Sequence, residues 1–409
     1  MSRSVDNLWL HRFACLTALA TLALIGLGGL VTSQGVGMSV PDWPTTYGYN
    51  MFLFPISQWV GGIFYEHTHR LVASGVGLLT TILALWLFGT KSRPLLRWGG
   101  VAFLLLGVVA GIWLPGDKHH TGATLVLVGA ISLRASFFWP NCAPASQRLR
   151  WLGVLAFIAV ALQGVLGGLR VVLFKDQIGI VHAALAQICL VILCALALFT
   201  SQWWRNLPDK FSPIIDRKGL RSLLLIGTLL IFAQLVLGAT MRHQHAGLAI
   251  PDFPLAYHKL WPPMDAASVT AYNQNRMEVE AANPITAFQI GLQMVHRIMA
   301  VLILCAVTFC ARTTRRQLGA RHPLSRLSLA WLVLIMAQVV LGAFTIWSNK
   351  AADVATTHVV VGALSLVTGV ILTITSFRVL MPVRSASLAA TPSATSGLET
   401  RKPAASSAE

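Results

Sequence analysis

Charged residues are scarce in this sequence. Asp, Glu, Lys and Arg make up 11% of its 409 residues, whereas soluble domains carry roughly a quarter. Hydrophobic residues make up 55% and form runs of about 20 residues, each long enough to cross a hydrocarbon core of roughly 30 Å. The composition excludes a soluble globular protein and predicts ten membrane-spanning helices. We place them at 13–33, 68–88, 98–115, 120–139, 151–172, 178–200, 221–241, 286–311, 327–347 and 354–378.

Acidic residues are the scarcer charged class, with 14 against 31 Lys and Arg, so the formal net charge is +17. A positive excess can indicate a nucleic-acid partner, but here the basic residues concentrate in alternate connecting segments such as 91–97, 205–221 and 312–326. Cytoplasmic segments of membrane proteins are enriched in this way. The pattern predicts a multi-pass protein of a bacterial-type cytoplasmic (inner) membrane, with both termini inside, lipid around it and no nucleic-acid partner.

Signals for covalent attachment and for cleavage are also missing. No CxxC or CxxCH motif occurs, and none of the six cysteines lies in a predicted outer loop. Haem attachment through such a motif is excluded, and an outer disulfide is not expected. The first apolar run lacks a small-residue cleavage site, so we interpret it as a retained helix. The segment 381–409, rich in Ser, Ala, Thr and Pro, is predicted to be disordered.

The sequence does contain an internal duplication. GGLVTSQGVGMSVPDWP at 28–44 matches GATMRHQHAGLAIPDFP at 238–254 without a gap. The PDWP and PDFP elements predict equivalent tight turns in two outer loops. HRLVA at 69–73 likewise matches HRIMA at 296–300. The chain therefore consists of two related halves.

A third match completes the halves. QGVLGG at 163–168 matches QVVLGA at 338–343, and each is followed by a histidine at the start of the next helix. The first half is longer than the second by about one helical hairpin, which we assign to 98–139. The predicted fold class is all-α, a polytopic membrane protein of two pseudo-symmetric four-helix bundles plus this hairpin. Its parts are an N-terminal half-bundle at 13–200, a cytoplasmic linker at 201–220 and a C-terminal half-bundle at 221–378.

Four of the twelve histidines occupy duplicated helical positions, namely His69, His182, His296 and His358. A polar residue near a helix end is the plain interpretation of any one of them, but ionisable residues inside membrane segments are costly and usually functional. Imidazoles from facing helices can give a haem iron its two axial ligands. We predict two haem-iron sites, one from His69 with His182 and one from His296 with His358.

The remaining histidines have plainer interpretations. His67 points away from His69 around the helix. The others are expected on the solvated cytoplasmic side, at the outer turn of the hairpin, or in the second outer loop, where an H-x-H pair has no evident third metal ligand. These are, in that order, His11 and His322, His119 and His120, and His243, His245 and His258.

The two histidine pairs differ in one neighbour. Glu66 precedes His69 by three residues and shares its helix face, whereas Gln293 precedes His296. A carboxylate can move protons or stabilise a cation, so the first half is the candidate for chemistry. The alternative is a glutamate at a helix start that interacts with the helix dipole.

Three arginines, Arg70, Arg170 and Arg297, lie at the outer ends of predicted helices. They could bind haem propionates at the aqueous edge, or they could anchor their helices at the membrane interface. The sequence leaves both interpretations open.

In their order along the chain, these motifs resemble those of the haem A synthases. EHTHR at 66–70 matches the family's E-x-x-H-R signature, and PDWP, QGVLGG with VHAALAQ, VHR and TTHVVVGAL complete the set. The resemblance covers 13–88 and 151–378. It implies a membrane oxidoreductase acting on a CH group, which oxidises the C8 methyl of haem O to a formyl group by successive hydroxylations and loss of water. Haem A made in this way serves cytochrome oxidase.

The resemblance also implies roles for the residues. His69 and His182 would bind the substrate haem O, with Glu66 in proton transfer or cation stabilisation, and His296 and His358 would bind a haem b that passes electrons. A haem O synthase would be the upstream partner. The electron donor, the oxygen source and the oligomeric state stay open, a homo-oligomer included. Two departures are that 34–66 lacks the cysteine pair of some bacterial members and that the hairpin is not part of the usual pattern.

Two other functions stay open. A non-catalytic dihaem b-type cytochrome that takes electrons from quinol would use the same four histidines, but it needs neither Glu66 nor the ordered motifs. A transporter is the second alternative, because duplicated helical halves are common there. Here, however, both halves start on the same side of the membrane, and the histidines lie near one face.

Overall fold

The computed structural model describes residues 7–113, 119–207, 214–216, 219–275 and 283–381. Ten long helices dominate these residues, and each predicted span overlaps one of them. The tail predicted to be disordered lies, after Met381, outside the described residues, as does part of the predicted linker. The long helices are α1 (Leu8–Ser33), α2 (Gly61–Phe88), α3 (Ser92–Trp113), α4 (His119–Phe138), α5 (Gln147–Leu173), α6 (Asp176–Thr200), α7 (Leu220–His243), α8 (Ala287–Leu318), α9 (Pro323–Trp347) and α10 (Ala352–Val379).

Nine helical stretches among the described residues are long and apolar enough to cross a membrane. One of them, Gly61–Trp113, is 53 residues long and contains both α2 and α3, so the nine stretches account for the ten predicted spans. The protein is therefore a multi-pass, all-α membrane protein, as predicted. Some helices extend past their apolar runs. α2 begins at Gly61 rather than at 68, because helical hydrogen bonding continues through polar residues that a search for apolar runs leaves out.

The helices pack as two rings of four. α1, α2, α5 and α6 form the first ring, and α7, α8, α9 and α10 form the second, with each helix in contact with the next. Leu83, Leu87 and Leu193 are buried in the first core, and Leu224 and Trp331 are buried in the second. In lipid, such cores are stabilised mainly by close van der Waals packing.

A shared seam joins the two rings, where α1 packs on α10 and α6 packs on α7. Ile25, Leu190 and Ala363, from α1, α6 and α10, form a buried cluster in it. Arg242 near the end of α7 donates a hydrogen bond of 2.5 Å to the carbonyl oxygen of Gly29 on α1. Helices of both halves therefore meet along the seam.

The extra hairpin consists of α3 and α4, so it begins at Ser92 rather than at 98. Its two helices pack almost only on each other. Gly100, Gly107, Gly122 and Gly129 line the contact, where an added Cβ would lie 2.7–2.9 Å from backbone atoms of the opposite helix. Small residues permit this close approach between membrane helices. The hairpin is thus a unit beside the first ring and takes no part in its core.

The described part of the linker ties α10 to α7. Ile214–Ile215 pairs in parallel with Leu380–Met381, and the backbone amide of Asp216 donates to the carbonyl oxygen of Met381 at 2.8 Å. The carboxylate of Asp216 accepts from the backbone amides of Leu220 and Arg221 at 2.7 and 3.1 Å. These two hydrogen bonds satisfy backbone amides at the start of α7 that have no partner within the helix.

The PDWP and PDFP elements form the same turn in the two outer loops. The carboxylate of Asp42 accepts from the backbone amides of Tyr47 and Gly48 at 2.7 and 2.9 Å. Asp252 makes the same two bonds with the residues five and six positions later, at 2.7 and 2.8 Å. Burial raises the pKa of Asp42, but hydrogen bonds from Gly48, Thr45 and Tyr47 outweigh this effect and hold the pKa below its usual value. The predicted tight turns are confirmed, and their role is structural.

Candidate haem-binding site

The structure brings the four duplicated histidines together as two pairs. His69 on α2 and His182 on α6 are electrostatic neighbours across the first ring. His296 on α8 and His358 on α10 are neighbours across the second ring. Each histidine lies roughly two turns inside the outer end of its helix. All four histidines are half-buried. Each half thus holds two neighbouring imidazoles on diagonally placed helices.

A glycine on the preceding helix of the bundle lets each imidazole lie close to that helix. An added Cβ at these glycines would lie only 3.1–3.5 Å from the histidine Cε1. All four histidines also have a buried Nδ1 without a hydrogen-bond partner among the described residues. Paired imidazoles with unpaired nitrogens in an apolar bundle fit a haem with two axial ligands. The glycine–histidine pairs are Gly28 with His69, Gly167 with His182, Gly238 with His296 and Gly342 with His358.

A glutamine four residues before the glycine braces three of the four histidine-bearing segments. The side-chain amide of Gln163 donates to the carbonyl oxygen of His182 at 3.0 Å. Gln234 and Gln338 make the same bond, at 2.9 Å each, to the carbonyl oxygens of the other half's two histidines. This brace was not predicted from the sequence. Its signal is a Q-x-V-L-G motif at 163–167, 234–238 and 338–342.

Glu66 is buried, with 4% of its surface exposed, and both of its carboxylate oxygens are held. One oxygen accepts from the backbone amide of Val40 at 2.9 Å, and the other accepts from Arg70 at 2.7 Å. Arg70 donates further to the carbonyl oxygens of Val40, Asp42 and Thr45. The carboxylate therefore ties α2 to the first outer loop, one turn from His69.

Gln293 holds the second outer loop in the same way. Its side-chain oxygen accepts from the backbone amide of Ile250 at 2.7 Å, and its amide donates to the carbonyl oxygen of Ile250 at 3.3 Å. The difference between the halves is therefore one of charge rather than of position. The helix-dipole interpretation of Glu66 is wrong, because the first turn of α2 contains no acidic residue and the dipole effect falls off within that turn.

The three outer arginines do not share one role. Arg70 is held by Glu66 and loop carbonyls, and Arg297 donates to the carbonyl oxygens of Asp252 and Leu255 at 2.8 Å each. Both are loop anchors.

Arg170, near the end of α5, differs from both anchors. Its Nε is buried, and its side chain makes no hydrogen bond among the described residues, whereas both anchors donate to loop carbonyl oxygens. Its nearest opposite charges are Asp176 and Glu66, and its charge also acts on His69 and His182. Arg170 is therefore a cation beside the first pair that could bind an anionic group.

His243 corrects the sequence interpretation, which placed it in the outer loop. It is the last residue of α7 and is buried, with 7% exposure. Its ring lies against Gly179 of α6, where an added Cβ would be 2.4 Å from the ring Cε1. His245 is exposed. The H-x-H sequence is therefore split between the seam and the surface and does not act as one metal-binding unit.

His67 points away from His69, as predicted, and is fully buried under the outer loop. Its Nδ1 lies 3.2 Å from the Thr46 hydroxyl, and its ring centroid lies 5.1 and 4.8 Å from those of Phe54 and Trp59. It stabilises the loop that Glu66 anchors.

The two histidines expected on the solvated side also contact protein. The Nδ1 of His11 lies 3.0 Å from the carbonyl oxygen of Ala197 on α6. His322 accepts from the backbone amide of Leu324 at 3.2 Å and so caps α9. The side chains of His119 and His120 lie outside the described residues.

Comparison with known proteins identifies a family for this chain. Residues 119–370 match the family COX15-CtaA, described as cytochrome oxidase assembly protein. The haem A synthase of Beijerinckia indica is 27% identical over 83% of both chains, and that of Geobacillus kaustophilus is 23% identical over 85% of this chain and 84% of its own.

A third relative extends the match to the start of α2. The haem A synthase of Rhizorhabdus wittichii is 24% identical over 87% of this chain and 91% of its own. The part of this chain outside the match is shorter than the segment that precedes Glu66. The match therefore includes Glu66 and His69. The chain belongs to the COX15-CtaA family of cytochrome oxidase assembly proteins.

Proposed function

We propose that this protein is a haem A synthase, which oxidises the C8 methyl of haem O to a formyl group by successive hydroxylations and loss of water. The carrying observation is that two nearly equivalent imidazole pairs are built and that, among the described residues, only the first has next to it both a buried carboxylate and an arginine without side-chain hydrogen bonds. The relatives named haem A synthase support the same activity. A haem O synthase would act upstream and supply the substrate.

In this proposal the first pair holds the substrate. His69 and His182 bind the iron of haem O, and the glycines beside them leave room for the two imidazole rings. The surrounding apolar helices exclude water from the reacting edge. Glu66, which accepts a hydrogen bond from Arg70, stabilises positive charge that develops near His69 or accepts a proton there. The two bonds to Arg70 and Val40 keep its position fixed during the reaction.

The second pair holds a resident cofactor in this proposal. His296 and His358 suit the iron of a haem b, which when bound would supply one-electron transfer. Gln293 adds no charge next to this pair, so nothing there favours proton transfer. The positive-inside pattern and the bacterial relatives support a place in the bacterial cytoplasmic membrane, with both pairs near the outer face.

Replacement of Arg170 by Leu should weaken binding of haem O to the first pair on the order of tenfold. A charge-assisted hydrogen bond to a propionate is worth roughly 1.5–3 kcal/mol, and Arg170 is the cation beside this pair that lacks a partner at Nε. Titration of the purified protein with haem O, followed by absorbance, measures the effect. Arg170→Lys, which keeps the charge, should retain most of the affinity. Unchanged affinity in Arg170→Leu would show that another group holds the propionates.

Pigment analysis tests the function itself. The protein is expressed together with a haem O synthase in a host that makes no haem A, and the haems are extracted and separated. Haem A in the extract is the expected result. Protein that is loaded with haem O and haem b under aerobic conditions but contains no formyl product would refute the proposal.

The second candidate is a dihaem b-type cytochrome that takes electrons from quinol. The close equivalence of the two imidazole pairs favours it, because a pure electron carrier needs no difference between its sites. It predicts that haem b alone is extracted and that quinol reduces both haems.

A further inference from the structure

The four histidine-bearing helices follow one plan, and one of them departs from it. Each histidine faces a glycine on the preceding helix of its bundle, and three of these glycines follow a glutamine in the motif Q-x-V-L-G. The side-chain amides of those glutamines donate to the carbonyl oxygens of His182, His296 and His358 at 2.9–3.0 Å. Each bond links two helices at the level of the imidazole.

The fourth copy of the motif reads LIGLG at 24–28 and serves His69. Gly28 keeps its place, 3.1 Å from the His69 ring as measured from an added Cβ. Leu24 lies four residues before Gly28. In the second half, Gln234 holds the equivalent position, four residues before Gly238. A leucine has no donor, so α1 provides no brace to α2 at this level.

We infer that the missing brace makes His69 the exchangeable ligand of the first pair, through which the haem enters and leaves, whereas the second pair is braced on both sides and retains its haem. This inference rests on the proposed function. A substrate site must release its product in every turnover, and a cofactor site must not. Loss of one interhelical hydrogen bond lets the α2 segment shift away from the iron at less cost, while Gln163 keeps His182 in place.

The test is the rate at which haem leaves the full-length protein. Purified protein loaded with haem O and haem b is mixed with excess apomyoglobin, and the transferred haems are followed by absorbance and identified by chromatography. Wild-type protein should release haem O faster than haem b. Leu24→Gln, which supplies the absent brace, should slow the release of haem O about fivefold, as expected for one hydrogen bond, and leave haem b unchanged.

Matched variants separate the hydrogen bond from changes in side-chain size. Leu24→Met has a similar volume and no donor, so its release rates should equal those of wild type. Gln234→Leu, the reverse change at the duplicated position, should speed the release of haem b about fivefold. Unchanged release from loaded Leu24→Gln overturns the inference. If Leu24→Gln does not load, Gln234→Leu decides, and an unchanged haem b rate overturns the inference.

The same measurement on protein prepared with haem b alone makes the test independent of haem A production. Two release rates that respond separately to Leu24→Gln and Gln234→Leu support the inference even if no haem A is ever formed. Normal haem A production by a protein whose two pairs release haem at equal rates refutes the inference and leaves the proposed function intact.

Discussion

Glu66→Gln should abolish nearly all formyl production while both histidine pairs keep their haems. Gln293 shows that an amide at this position accepts from a loop backbone amide as the carboxylate does, at 2.7 Å compared with 2.9 Å. The substitution therefore keeps an acceptor for the Val40 amide and removes the charge, together with the oxygen that accepts from Arg70. Loss of a positioned general acid–base group costs on the order of 10²–10⁴-fold in rate. Haem A formed per bound haem O, measured by chromatography, gives the effect.

Two further variants complete this test. Gln293→Glu adds a carboxylate beside the second pair and should leave haem A production unchanged. Glu66→Ala removes the charge together with the partner of Val40 and Arg70, so it should also lower haem O content by releasing the loop. If Glu66→Gln forms haem A at the wild-type rate, Glu66 is a loop anchor and the chemistry lies with other groups.

His296→Ala and His358→Ala should each remove the b-type spectrum of the resident haem, about one haem per protein. An iron that loses one of two strong axial ligands in this bundle keeps only a single anchor, and the vacated position cannot be refilled by the neighbouring glycine. The pyridine haemochrome spectrum and the ratio of haem to protein measure the loss. His69→Ala and His182→Ala should instead keep the b-type spectrum and lose bound haem O.

A glycine variant tests whether the b-type spectrum is also lost when both histidines are kept and only the space at the His296 ring is changed. Gly238→Leu leaves both histidines in place but puts a side chain against the His296 ring, which an added Cβ would approach to 3.4 Å. It should exclude the haem as effectively as His296→Ala. A b-type spectrum that survives in both His296→Ala and His358→Ala would move the resident haem to the first half.

Long apolar runs and exact offsets made most of the fold predictable from the sequence. The spans, the two halves and the four duplicated histidines all follow from patterns that the membrane enforces along a single chain. The end of α7 was not predictable, because the polar residues Arg242 and His243 look like loop until the helix that buries them is known. A polar side chain is solvated or structural according to its neighbours, and these belong here to the other half.

The pairing of the four histidines was predictable from the sequence, but the contacts that support them were not. Glu66 and Gln293 were visible as an asymmetry, yet their common bond to the outer loop depends on a contact across more than 20 residues. Arg70, Arg170 and Arg297 look alike in sequence and differ in which carboxylate and carbonyl oxygens lie within reach. The bracing glutamines were hidden because a lone Gln inside an apolar run has no meaning until its partner carbonyl is known.

The common depth of the four histidines has a consequence for energy coupling. All of them lie roughly two turns from the same ends of their helices, and the seam joins the two rings side by side. In the proposed function, an electron that moves from one pair to the other would therefore travel parallel to the membrane plane. Moving a charge across the full membrane would cost or release about 2.3 kcal/mol for each 100 mV of potential. Transfer between these pairs involves almost none of that work, so its rate should be the same in energised and de-energised membranes.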